Sequence, residues 1–519
     1  MNHRIDSFLW GVATSGYQSE GGYNGWQQPQ NNWTLSEQEG RVMPTREASG
    51  FWTRYREDFQ TCRELGINAF RMGWEWARIQ PSTSQTVATA PPFDEAALDA
   101  YAERVAACRQ HGMEPVITLH HFTHPAWLGI DAWLSAQTVD LFVDYVRTSV
   151  THINRRLTDD YGLAPIHWYI TINEPNMLVL NTYLNEQFPS AQPNGLTFVL
   201  QAYNHLLMAH VRAYDCIHDL YETHGWERPQ VSFNTYCSDL YWSEKVLWDL
   251  CRIQDQALAL SDLTDYLVAQ SRHWEQALRK ADLPFKQDLP YRFGKVLRKA
   301  ANWIGRWQFD AQPLSPLFQE IQKTERPQLF DYLALDYYDP FLAHSLRLPR
   351  FSDFEFKAKG FRAWLMSSIT SKWWDWRSLP EGLYFFCKHY AQEYAPCPIL
   401  IAENGMAVRR TIDNHMASPR TDRLRRSEFL HAHVAQVQRL LAENIPLAGY
   451  MHWSLTDNYE WGSFTPRFGL LGINYLQGTD RILEDHLGDR PAETYAHLIR
   501  NTVAPQPPDN IASADIASV

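Results

Sequence analysis

The sequence predicts an α/β protein, a single (β/α)8 barrel with elaborated loops after its strands. Three observations point there. Eight short apolar runs, rich in β-branched and aromatic residues, recur along the chain. Segments of helical period separate them, so the strands should run parallel and close on themselves. A polar or aromatic residue stands at the carboxyl end of six runs: Glu75, His121, Glu174, Tyr338, Glu403 and Trp453. In a barrel those ends meet on one face.

The runs are 8–14, 69–75, 115–121, 166–174, 231–236, 332–338, 398–403 and 447–455. Pro175 cannot donate to a sheet ladder, so the fourth strand should end at Glu174. Asn404-Gly405 turns the chain after Glu403. Helical spacing marks 51–65, 94–111, 141–156, 198–221 and 423–443. No internal repeat or linker divides the chain, so one catalytic domain is expected over 1–502, with a divergent insertion at 241–326 between the fifth and sixth strands. Pro505, Pro507 and Pro508 introduce a small, polar tail, 503–519, expected to be disordered.

Composition narrows the function classes. A net charge of −12 and a pI near 5.9 argue against nucleic-acid binding, which wants a basic face. The first residues carry no apolar run long enough for a secretory signal. No window approaches the roughly 18–20 apolar residues of a membrane span. Seven scattered cysteines without CxxC spacing read as reduced thiols, and no metal or cofactor is expected. A cytoplasmic protein follows. The 21 Trp and 25 Tyr suit stacking on sugar rings as well as a large aromatic core.

Glu174 and Glu403 are two carboxylates at strand ends, far apart in sequence, the minimum equipment for cleaving a glycosidic bond. Around them lies an ordered set of motifs. Phe8-Leu9-Trp10-Gly11-Val12-Ala13-Thr14 runs on through Gln18 to Gly21. Tyr55-Arg56-Glu57-Asp58 precedes Leu65-Gly66-Ile67 and Arg78-Ile79-Gln80-Pro81. Thr118-Leu119-His120-His121-Phe122, Asn173-Glu174-Pro175 and Glu403-Asn404-Gly405 follow. Trp453, Asp457-Asn458-Tyr459-Glu460-Trp461 and Arg467-Phe468-Gly469 close the series. Over most of 7–500 the chain resembles glycoside hydrolase family 1, the β-glucosidase and β-galactosidase family.

The resemblance implies a retaining β-glycosidase. Glu174 would be the acid/base, with a raised pKa, and Glu403 the nucleophile, their carboxyls roughly 5–5.5 Å apart. Arg71 and Tyr338 would hold Glu403, although Arg71 could instead pair with Glu75. Gln18, His121, Asn173, Trp453, Glu460 and Trp461 would bind the sugar, with His120 an alternative to His121. Tyr337, by strand alternation, should face away from Tyr338. Glu460 would repel a 6-phosphate, so an unphosphorylated glucosyl, galactosyl or fucosyl ring is expected. Asp336 departs from the family's usual Asn, Phe122 from its Trp, and the loop 460–467 is about a residue short.

Two basic aromatic stretches, 293–307 and 356–377, stand out in an acidic chain. In the first, Phe293, Val296, Leu297, Ala300, Ile304 and Trp307 share a helical face opposite Lys295, Arg298, Lys299 and Arg306. Such a helix either covers the barrel wall with its charges in solvent or lies at a membrane interface. The second case implies a glycolipid partner and a transglycosylase like the family's galactolipid-remodelling members. A catalytically dead sugar-binding protein is the third class, against which both glutamates speak.

Overall fold

The computed structural model describes residues 8–82, 87, 89–341, 374, 376–420, 422–485 and 487–502. Most of the second basic stretch and the 503–519 tail lie outside them. Eight predicted runs appear as nine parallel segments: β1 Leu9–Ala13, β2 Ala69–Gly73, β3 Glu114–Thr118, β4 Trp168–Ile170, β5 Gln230–Ser232, β6 Asn234–Tyr236, β7 Leu333–Tyr337, β8 Ile399–Asn404 and, after the hairpin of β9 Val408–Arg410 and β10 Met416–Ser418, β11 Leu447–Trp453. The sheet order is β5-β4-β3-β2-β1-β11-β8-β7-β6. Its two ends are separated in sequence by Phe233 alone. β5 pairs with β4 and β6 with β7, so the 230–236 run closes the barrel by changing neighbours at that residue.

The helices form the outer layer, and the apolar strand residues are buried almost throughout. Their ends follow capping chemistry. Asp94 accepts from the amides of Ala96 and Ala97 at the start of the helix Glu95–Gln110. The helix Phe51–Leu65 stops at Gly66, whose φ of 80° suits a glycine C-cap. Gly405 answers a close approach: a Cβ there would lie 2.1 Å from the Trp453 carbonyl oxygen.

Two expectations are corrected. The fourth strand ends at Ile170, not at Glu174. Beyond it the backbone keeps irregular bonds to both neighbours, Asn173 N to His120 O at 2.8 Å and Glu174 N to Asn234 O at 3.1 Å. Glu174 then caps the helix Pro175–Tyr183 in left-handed geometry, φ 38° and ψ 61°.

The second correction concerns the insertion. The helix Leu289–Gln308 forms as the spacing predicted, but docks by its polar side. Arg298 meets Asp239 at 3.4 Å and Glu275 at 3.3 Å. The Asn302 amide donates to Glu275 (2.6 Å) while its Oδ1 accepts from Tyr241 N (3.2 Å). The charged face therefore does not point to solvent over a packed apolar one. A buried arginine and asparagine with partners waiting on the barrel side outweigh the apolar stripe in orienting the helix. All seven cysteines are free and buried. No helix among the described residues is long and apolar enough to cross a membrane.

Candidate active site

Arg71, the third residue of β2, lies fully buried inside the barrel. Its Nε donates to Thr118 Oγ1 (2.9 Å), and Nη1 to the Ala402 carbonyl (3.1 Å) and Glu403 Oε1 (2.7 Å). Its Nη2 donates to Asn173 Oδ1 (2.5 Å). A buried guanidinium persists only where acceptors take its donors, and here three other strands and their loops supply them. Glu403, fifth in β8, accepts at its other oxygen from the Tyr338 hydroxyl at 2.7 Å. Burial, with the charge of Glu403 beside it, pushes the Tyr338 phenol far up, so it stays a donor. Both oxygens of Glu403 are thus held by donors, the arrangement that favours a carboxylate.

Glu174 faces this pair. One oxygen from each of Glu174, Asp336 and Glu403 lies within 4.8 Å of the others. Asp336 pairs in register with Glu403 across β7 and β8, and approaches Arg71 Nη1 at 3.9 Å. Burial, then the charges of Glu403 and Glu174, hold its carboxyl well above the usual range, against the pull of Arg71. Among the described residues this trio is the set that could hold a metal ion. Arg71 already places a cation against two of its members.

The other predicted residues gather beside the carboxylates. Gln18 Nε2 donates to Glu460 Oε2 at 3.2 Å, and the Trp453 indole donates to the same oxygen at 3.4 Å. His121 lies nearly parallel to Trp453, ring centroids 5.5 Å apart. Burial, then the charge of Arg71, depress its pKa, leaving a neutral ring that can both donate and accept. His120 is turned elsewhere, taking the Trp133 indole N–H at 3.2 Å. Gln18, His121, Phe122 and Trp461 line a shared pocket. Phe122 contacts His121, Phe188 and Trp461 edge-on or tilted. Glu75 is bonded by Thr123 at 2.8 Å, and Arg71 pairs with Glu403 instead. Tyr337 turns away, its hydroxyl on the Leu379 carbonyl at 2.5 Å.

The family model described as "Glycosyl hydrolase family 1" matches residues 2–487. The chain belongs to glycosyl hydrolase family 1. It is an O-glycosyl hydrolase of the β-glucosidase and β-galactosidase kind. It is 25% identical to β-glucosidase A of Thermotoga maritima, over 96% of this chain and 97% of that one. It is 26% identical to a β-galactosidase of Sulfolobus acidocaldarius, covering 90% of each. It is also 25% identical to 6-phospho-β-galactosidase 1 of Streptococcus pneumoniae, over 90% and 93%. The solved family 1 β-glucosidase of Thermotoga maritima superposes with a TM-score of 0.65 at 21% identity, covering 95% of this chain and 97% of that one. That likeness concerns the barrel.

Two residues of this family 1 site escape a sequence reading. Asn234 donates to Asn173 Oδ1 (2.7 Å) and to Asp336 Oδ2, joining β6 to the loop after β4. In sequence it is one more polar residue in a short strand. Trp376 donates to Asp339 Oδ2 (3.0 Å) and packs edge-on against Tyr338, centroids 6.0 Å apart. Its stretch was read as a basic aromatic surface, not as part of the site. Four non-glycine residues around the site have left-handed backbones: Phe122, Glu174, Asp339 and Trp461, φ 67°, 38°, 53° and 48°. Each costs on the order of 1–3 kcal/mol, a strain that functional sites tend to hold.

Proposed function

We propose that the protein is a retaining β-glycosidase that hydrolyses unphosphorylated β-glucosides or β-galactosides. The observation that carries this reading is the approach of Glu174 and Glu403 oxygens to within 4.8 Å, with Glu403 held by Arg71 and Tyr338. Oxygens that approach so closely suit the short carboxyl spacing of a covalent, retaining mechanism better than the wider spacing that seats an attacking water. Glu403 attacks the anomeric carbon as Glu174 gives its proton to the departing oxygen. Esterification removes the charge of Glu403, and Glu174, now a carboxylate, takes a proton from the water that attacks the same carbon. The C–O ester bond breaks and the β configuration returns. Asn173 would meet the 2-hydroxyl, and Gln18, His121 and Glu460 the outer hydroxyls over Trp453.

Glu460 supports the unphosphorylated ring. Its oxygen already takes two neutral donors, Gln18 and Trp453, and a phosphate dianion brought against it would be repelled. The relatives' names include both sugar classes, so this carboxylate is the discriminating feature.

A screen of aryl β-glucoside, β-galactoside, β-fucoside and their 6-phosphates tests the sugar, and proton NMR of the first-formed anomer tests retention. Preference for a 6-phosphate would overturn the reading of Glu460, and an α product that of the mechanism. Glu403→Gly should lose at least about a thousandfold in kcat. Added azide should restore turnover of activated substrates as the α-glycosyl azide. Full activity without azide would sink the assignment. Repeating the screen with an alcohol acceptor measures transfer against hydrolysis.

A further inference from the structure

The helix Leu289–Gln308 turns its apolar side outward. Phe293, Trp303 and Trp307 are 62%, 59% and 73% exposed, and Leu289, Val296 and Ile304 are exposed with them. Trp303 and Trp307 stack parallel, centroids 6.2 Å apart. The orientation is fixed from beneath. Arg298 and Asn302 are bonded inward, and a Cβ on Gly305 would lie 2.3 Å from the Trp242 ring. The outer face runs about 30 Å along the helix.

Its charge is equally one-sided. The stretch 289–308 holds five basic residues and no acid, in a chain of net charge −12. Arg292 and Lys299 are exposed and Lys295 half-buried, beside the apolar side chains. We infer that this helix is a docking face for an anionic phospholipid surface. Aromatic and aliphatic side chains enter the headgroup boundary while arginine and lysine meet lipid phosphates. A second copy fits poorly, because a two-fold pairing of this face would set basic residues against the same basic residues with no acid to answer them. The start of the helix and the turn before it also pack on the chain that follows β7. Phe285 and Tyr291 pack on Phe341, three residues beyond Tyr338, at 4.9 and 6.1 Å.

The test is co-sedimentation of the full chain with phosphatidylcholine vesicles, with and without phosphatidylglycerol. Binding is expected only with phosphatidylglycerol, falling as salt rises. Trp303→Glu/Trp307→Glu should weaken it by about tenfold or more. Its aryl β-glycoside turnover and circular dichroism should stay at wild-type values, showing that the barrel is intact. The readout is separate from the chemistry, and Glu403→Gly should bind like wild type. The inference is overturned if the chain stays in the supernatant, if the double variant pellets equally, or if that variant instead dissolves a dimer that never bound vesicles.

Discussion

Asp336 sets this site apart at the scale of single residues. Its carboxyl is buried, hydrogen-bonded by Asn234, and close to both Glu174 and Glu403. Burial, then the charges of Glu403 and Glu174, keep it protonated well above the usual range. With carboxyls this close, ionising Glu174 beside a second ionised acid sets two negative charges together, which disfavours that loss of a proton. Asp336→Asn removes one charge, so the alkaline limb of kcat/KM should move to lower pH by about one unit while the acid limb stays. An unmoved alkaline limb would contradict the coupling. Glu174→Ala belongs beside it. Turnover of alkyl glycosides should fall about 10²–10⁴-fold and that of dinitrophenyl glycosides far less, because only the poor leaving group needs the proton. Equal losses would mean that Glu174 is not the acid.

Elements were legible to different degrees. The helix Phe51–Leu65 was readable to the residue because its apolar period ends at Gly66, and Asp94 announced the next helix. The strands were found, but several were expected to run longer at their carboxyl ends than they do. Apolar residues continue to Leu119 and Ile172 although the ladder stops at Thr118 and Ile170. There the backbone leaves the sheet to aim side chains, and left-handed residues such as Phe122 and Glu174 leave no mark in composition. The ten site residues named from sequence converge on one rim, while Asn234 and Trp376 needed the fold. The orientation of Leu289–Gln308 was not legible either, since it depends on partners such as Asp239 and Glu275 outside the helix. Gly305→Ala tests that orientation. Forcing a methyl against Trp242 should cost about 1–3 kcal/mol and expose the insertion to protease ahead of the barrel. A neutral substitution would mean the helix faces another way.

At the scale of the whole molecule, buried titratable groups predict a stability optimum. His124, His210 and His452 are depressed to about 4, 4 and 3, chiefly by burial. The unfolded chain protonates these rings first, so their contribution to stability rises with pH until about 6.5. Glu75, Glu114 and Glu244 are raised by burial to about 8, 7 and 7. They hold protons the unfolded chain has lost, so stability falls as pH climbs from their ordinary range toward 8. Above about 6.5 the histidine contribution is level while the buried acids, Asp336 with them, still act, and each of the three glutamates removes up to about 1.4 kcal/mol per pH unit below its folded pKa. Thermal melts should therefore fall between pH 6.5 and 8, and Glu75→Gln should flatten that decline. A midpoint still rising at pH 8 would refute the sign. Arg71 has a different kind of consequence. Its partners are Thr118, Ala402, Glu403, Asn173 and Asp336, whereas Gln18, Trp453 and Glu460 bond one another. On the proposed reading the first set serves bond cleavage and the second reads the sugar ring. On that reading, a substitution among Gln18, Trp453 and Glu460 should change the sugar preference while the Arg71 network stays in place.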